Sequence, residues 1–352
     1  MSATGESAGP EPVQPEPSAM QELGGNAPAP LAASHVGRRF QDLARGRLRS
    51  VGIVAPFVIL FIVLSFASGG FLTKANLLNI LDQQAATLVV AAAGTLVLVS
   101  GGLDLSVGAV YGLAAVVSGK LVGHVPAGFA ILAGVLAGTL VGAVNGFIAT
   151  YLRINALIAT LAMSFVVAGI ASLVTQGNLL VLSNDTSFGD FSNTSILGVN
   201  SSTWVMVIVV IAMGLLLART TIGRYMYAAG GNAEAARIAG VRVNLTRIIA
   251  FALSGGAAAI AGIIDSSRVL SADGTNNTQL TFTVLAGIVV GGTSILGGEG
   301  VVWRTAVGVL LIALIGNGYD LLGLNPLYEQ ITLGVIMMLA VGLDAWSRQV
   351  RH

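Results

Sequence analysis

The sequence predicts an all-α polytopic membrane protein of about ten transmembrane helices, and three observations carry that expectation. Hydrophobic types make up 55% of the 352 residues and charged types 9%, whereas a soluble domain carries roughly 25% charged residues. The apolar residues fall in runs of roughly 20, the length a helix needs to cross a hydrocarbon core. These runs do not alternate apolar with polar residues as barrel strands do, and only helices and closed barrels satisfy every backbone group inside lipid.

Taken in order, residues 1–49 read as a disordered cytoplasmic tail, rich in Pro, Ala, Glu and Ser and closing on Arg38, Arg39, Arg45, Arg47 and Arg49. Residues 50–352 read as one transmembrane domain. Its apolar segments lie at 51–68, 84–100, 107–122, 127–150, 155–175, 203–218, 247–267, 281–293, 302–319 and 327–343. With the amino terminus inside, ten crossings place every basic residue on the cytoplasmic side except Lys74, Lys120 and Arg268. The opposite orientation inverts that bias. Both termini are then cytoplasmic. The polar stretch 176–201, with Asp185 and Asp190, is the longest external loop.

The net charge of +1 and the lack of a basic patch give no sign of a nucleic-acid partner. Cysteine is absent, so neither disulfide nor thiolate site can form. None of the three histidines, His35, His124 and His352, lies in an apolar run, which argues against an intramembrane metal centre. No cofactor is expected.

Two Asn-Gly pairs, Asn145-Gly146 and Asn317-Gly318, close the fourth and ninth segments. Either they mark two halves of five helices as an inverted repeat, or they are ordinary helix terminators. Gly134, Gly138, Gly142 and Gly146 recur every fourth residue, a face on which another helix can approach closely. Between the second and third segments, Gly101 and Gly102 can break the helix. Asp104 or Ser106 could then cap the next helix, or stand in a gate or solute path together with Gly101, Gly102, Asn145 and Asn317. A carboxylate so near the membrane interior needs a partner. On the cytoplasmic side, Asn232 reads as an N-cap, Ala233–Ala239 as about two helical turns and Gly240 as the stop. A helix this short is marginal alone. It either docks on a partner, its small residues Ala233, Ala235, Ala236 and Ala239 set into a groove, or merely tethers two spans. Glu234 and Arg237 share a face, where they can pair with each other or with the partner. Gly291–Gly300 is glycine-rich but lacks the Lys-Ser/Thr of a phosphate loop.

GGLDLSVG at 101–108, TTIGRYMYAAGGNAEAARIAG at 220–240 and GGTSILGGEG at 291–300 resemble the signature segments of the ribose-type carbohydrate permease subunits of bacterial ABC importers. The resemblance runs from about residue 50 to the end. It implies a type II ABC importer-like permease in the bacterial inner membrane, working as two copies with a cytoplasmic ATPase and an external sugar-binding protein. The run Gly231, Asn232, Glu234, Ala235, Ala236, Arg237 and Gly240 resembles the loop by which such permeases engage the ATPase. The usual acidic run ahead of the eighth span is replaced by Thr278–Thr283, which leaves the solute open. The rival reading is a self-powered secondary transporter, whose carboxylates would be Asp82, Asp104, Asp265 and Asp320. All four are expected near span ends.

Overall fold

The computed structural model describes residues 52, 54–182, 186–275, 277–325 and 327–349. The tail at 1–49 and the carboxyl terminus at His352 lie outside the described residues. Helices α1 (Val54–Ala67), α2 (Lys74–Gln83), α3 (Ala85–Val99), α4 (Val107–Leu121), α5 (Ala127–Tyr151), α6 (Ala156–Thr175) and α7 (Thr186–Asn193) come first. They are followed by α8 (Ser201–Arg219), α9 (Thr221–Gly231), α10 (Ala233–Ile238), α11 (Val243–Val269), α12 (Thr278–Val290), α13 (Val302–Leu321) and α14 (Leu327–Gln349). A helix occupies each expected apolar run. Five of them (α5, α6, α8, α11 and α13) are long and apolar enough to cross a membrane alone. The pair α2–α3, bent by 47°, passes that test together, while α1, α4, α12 and α14 contribute shorter apolar stretches.

Burial sorts these helices. All fifteen residues of α3 are buried, as expected for a helix that is apolar all round and encased by others. Most of α11 is buried too. The helix α5 is two-faced in the sense opposite to a soluble helix. Its glycines Gly134, Gly138, Gly142 and Gly146 are buried, while Leu132, Leu136, Leu140 and Phe147 stand exposed. A stripe of that kind is costly in water and suited to lipid. The glycines let α11 lie directly on α5: a Cβ at Gly142 would sit 2.2 Å from the Phe251 carbonyl oxygen. Gly134 meets Ser118 of α4 in the same way.

Neither Asn-Gly pair ends its helix. α5 continues to Tyr151 and α13 to Leu321. Gly146 is instead a point of close approach to Ile248, and Gly318 to Leu64. α12 begins at Thr278, ahead of the expected 281, because the Asn277 side chain accepts from Leu280 N at 3.0 Å and anchors the first turn there.

The stretch 176–201, expected to be external, is structured where described. Strand β1 (Leu180–Val181) pairs antiparallel with β4 (Ser271–Ala272), and β2 (Ser195–Ile196) forms a hairpin with β3 (Val199–Asn200). Between them α7 docks on α11: Phe188 is fully buried, and Ser192 donates to the Ile264 carbonyl at 2.8 Å.

Two short helices start deep in the bundle. The non-helical link Gly102–Ser106 leads into α4, and Asp273, Gly274, Thr275 and Asn277 lead toward α12. The first turns touch: Gly108 N donates to Thr281 Oγ1 at 3.2 Å and Asn277 N to the Gly108 carbonyl at 3.4 Å.

The close approach of α5 to α11 predicts that Gly142→Ala lowers the thermal stability of the purified protein by several degrees, since overpacking costs about 1–3 kcal/mol. Gly169→Ala, whose Cβ meets nothing within 4 Å, should leave it unchanged or slightly raised. Equal melting temperatures for the two variants would refute the packing account.

Candidate functional site

The link Gly102–Ser106 carries a buried carboxylate. Asp104 is 5% exposed, so its negative oxygens need donors nearby. Oδ1 accepts from Ser106 N at 3.0 Å and Ser106 Oγ at 2.6 Å, and Oδ2 accepts from Ser254 Oγ at 2.8 Å. Asn145 Nδ2 donates to Ser106 Oγ at 2.8 Å. Leu105 N donates to Thr160 Oγ1 at 3.0 Å. Helices α5, α6 and α11 thus each supply a side chain to hold the extended strand. Asn145 Oδ1 is buried without a partner among the described residues.

Two expectations are corrected here. Neither Asp104 nor Ser106 caps α4. Ser106 has a helical backbone conformation and makes no side-chain cap bond, whereas a capping residue needs an extended one; the free Gly108 N–H is met by Thr281 of α12 instead. Asp104 lies beside Ser254, which is about 16 Å along α11 from Val243 at ~1.5 Å per residue. Asn317 is not part of this cluster: it exchanges side-chain amide hydrogen bonds with Asn76 of α2, at 2.8 and 3.1 Å.

At the other end of the same link the three sequence motifs meet. Gly101 has φ +80°, and Gly297 and Gly298 have φ +91° and +76°, conformations that favour glycine. Gly298 N donates to the Val99 carbonyl at 2.9 Å. Gly230 lies so close that a Cβ there would be 1.9 Å from the same oxygen. Arg247 ties the junction from α11, donating to the Ser100 carbonyl at 3.0 Å and the Ala229 carbonyl at 3.3 Å. Tyr227 donates to the Gly300 carbonyl at 2.6 Å, and burial pushes its phenol above the ordinary value, so it stays a neutral donor.

Behind this junction stands α10. The Asn232 side chain accepts from Glu234 N at 3.1 Å and Ala235 N at 3.0 Å. At its other end Val241 N donates to the Ala236 carbonyl and Gly240 N to the Arg237 carbonyl, with Gly240 at φ +85°. That double bond is a Schellman stop. The small residues do not all face outward. Ala236 is buried against Ala229 and Val243 of its own chain, because the side chain four residues before Gly240 packs under Val241. The outward face is Gly231, Glu234, Ala235, Arg237, Ile238 and Ala239, with Ile238 85% exposed. Arg237 reaches Asn244 Oδ1 at 3.4 Å.

The sequence reading missed two features. Helix α9 joins the glycine junction to α10, and its signal was Thr220, whose side chain caps Gly223 N. The second is a charged cluster at the far end of α11. Arg268 pairs with Asp265 and, at 3.7 Å, with Asp82; Tyr111 donates to Asp265 at 2.8 Å, and Asn200 and Ser202 bind Asp82. The Asp265–Arg268 spacing was visible, but Asp82 is remote in sequence.

The donors around Asp104 predict a graded series. Asp104→Asn keeps an acceptor for Ser106 and should retain at least a third of transport. Asp104→Leu strands three buried donors at about 1–3 kcal/mol each and should lose transport more than tenfold. Equal losses, read by solute uptake at matched membrane abundance, would contradict this.

A family model described as "Branched-chain amino acid transport system / permease component" matches residues 76–341. The chain is 37% identical to the ribose import permease protein RbsC of Escherichia coli K12 over 312 residues, covering 88% of this chain and 97% of that one. It is 37% identical over 301 residues to the ribose import permease protein RbsC of Bacillus subtilis 168, covering 85% and 94%. It is 35% identical over 302 residues to the L-arabinose transport system permease protein AraH of Escherichia coli K12, covering 86% and 92%. With three-quarters of its length inside the family match and its motifs gathered into one junction, this multi-pass membrane chain belongs to the family of transport-system permease components.

Proposed function

We propose that this chain is the membrane-spanning subunit of an ATP-binding-cassette importer for a monosaccharide or related polyol, and not itself an enzyme. The names of its relatives supply the solute class. The observation that carries the mechanism is the meeting of Gly101, Gly230 and Gly297 beside α10. A partner ATPase pressing on the exposed face of α10 would move α9, and α9 would move the Val99–Gly101 turn that leads to Asp104. ATP is hydrolysed in that separate chain, so this subunit needs no cofactor.

The chain is read as ten spans in the bacterial inner membrane with both termini cytoplasmic. Supporting this, the turns at 99–101 and 296–300 and the arginine-rich α9–α11 connection share one end of the bundle. An inverted repeat is supported by a helix exchange: α3 packs on α12 and α13, while α11 packs on α4 and α5. Two copies form the transporter, and the segment β1–β3 with α7 receives an external binding protein. Asp82 and Asp265 are paired with Arg268, and Asp104 accepts three hydrogen bonds from Ser106 and Ser254. That pairing leaves few carboxylates for a self-powered transporter.

The test is mutation of the outward face of α10. Ile238→Asp and Ala235→Trp should leave membrane insertion intact. They should lower ATPase co-purification and binding-protein-stimulated hydrolysis by roughly tenfold or more, the loss expected of an interface anchor. Wild-type uptake and stimulation in both variants would defeat the reading. Ala236→Trp is unsuitable, because its effect on packing inside the chain would mask any effect on docking.

A further inference from the structure

A cavity of about 430 Å³ opens between α2, α12, α13 and α14. Gln84, Gln279 and Thr283 line it, with Asp320 and Glu329 also on its wall and Leu280 and Ile312 as apolar surface. The side-chain amides of Gln84 and Gln279 make no hydrogen bond among the described residues. The cavity follows α13 from Asp320 down to Ile312, about 12 Å at ~1.5 Å per residue. It therefore reaches well into the depth of the bundle. Unpartnered amides at such depth are costly against lipid, so this face is turned to water or to a solute. The volume lies within the range of small-molecule sites.

We propose that this cavity is the chain's solute-contact site in the translocation path, and that it takes a neutral polyhydroxylated solute. The assignment rests on the importer reading above. A side-chain amide both donates and accepts, which matches neighbouring hydroxyl groups, while Leu280 and Ile312 offer surface to a C–H face. Among the described residues, no Lys, Arg or His lines the cavity. A carboxylate or phosphate would find no counter-charge there and would meet Asp320 and Glu329 instead. Zwitterionic amino acids and sugar phosphates are thereby disfavoured. The acidic run replaced by Thr278–Thr283 maps to this wall, so its amide and hydroxyl side chains set the selectivity of this chain.

The chain has no cysteine, so single substitutions can be probed in the full-length protein in membranes. A charged, membrane-impermeant methanethiosulfonate should modify Gln279→Cys and Thr283→Cys at least tenfold faster than Leu136→Cys, which stands on the exposed apolar face of α5. Equal rates, or a disulfide between copies in place of labelling, would overturn the cavity whatever the solute. In cells depending on this chain, uptake of D-ribose, L-arabinose and L-leucine is then compared. Sugar uptake should fall at least tenfold in Gln84→Leu/Gln279→Leu, and Gln279→Asn alone should keep at least a third. Wild-type sugar uptake in the double variant overturns the cavity and leaves the importer reading standing. Uptake of L-leucine with neither sugar overturns the solute class and the monosaccharide reading together.

Discussion

The structure depends on satisfying backbone where it is not helical inside an apolar bundle. Lipid supplies no hydrogen bonds, so an extended stretch survives there only if neighbouring helices provide partners. Here Leu105 N is met by Thr160, Ser106 N by Asp104, and Asn277 N by the Gly108 carbonyl. These bonds permit α4 and α12 to begin deep within the bundle with their first turns in contact. Two short helices entering the interior in this way are the usual means by which transporters place polar groups at depth. The buried Asp104 serves this arrangement. It is an acceptor that fixes one of the two strands, and the hydroxyls of Ser106 and Ser254 hold it in turn.

Glycine makes the second half of the design possible. Helix axes come close enough for carbonyl oxygens to contact glycine α-carbons at Gly142, Gly255 and Gly308, so the spans can pack through dispersion alone, without a hydrophobic driving force between them. The same device is used at the end of the bundle, where Gly101, Gly230 and Gly297 bring two loops and the end of α9 into backbone contact. A junction made of backbone has little slack. A displacement of α9 must displace the Val99–Gly101 turn or break the contact between them. That is the physical basis for proposing α10 as the place where force enters.

Much of the fold was legible because its signals are local. Apolar runs of spanning length located the helices, and the Asn232 cap and Gly240 stop were written in adjacent residues. What was not legible depends on contacts remote in sequence. The inward turn of Ala236 required knowing that Val243 and Ala229 lie beneath it. The burial of Asp104 required knowing that Ser254 of α11 lies beside it. Asn317 and Asn145 looked equivalent by their Asn-Gly context, but one pairs with Asn76 and the other with Ser106. Each of the three motifs could be read singly, while their meeting at Gly230 could not.

The central claim is that motion passes from α10 through the backbone contact at Gly230, and two adjacent glycines test it. A Cβ at Gly230 would lie 1.9 Å from the Val99 carbonyl oxygen, whereas one at Gly231 meets nothing within 4 Å. The measurement is solute transported per ATP hydrolysed in the reconstituted importer carrying Gly230→Ala or Gly231→Ala. The account predicts that Gly230→Ala still binds the ATPase but loses most transport per ATP, while Gly231→Ala stays within twofold of the wild type. The same ratio in both variants would contradict it.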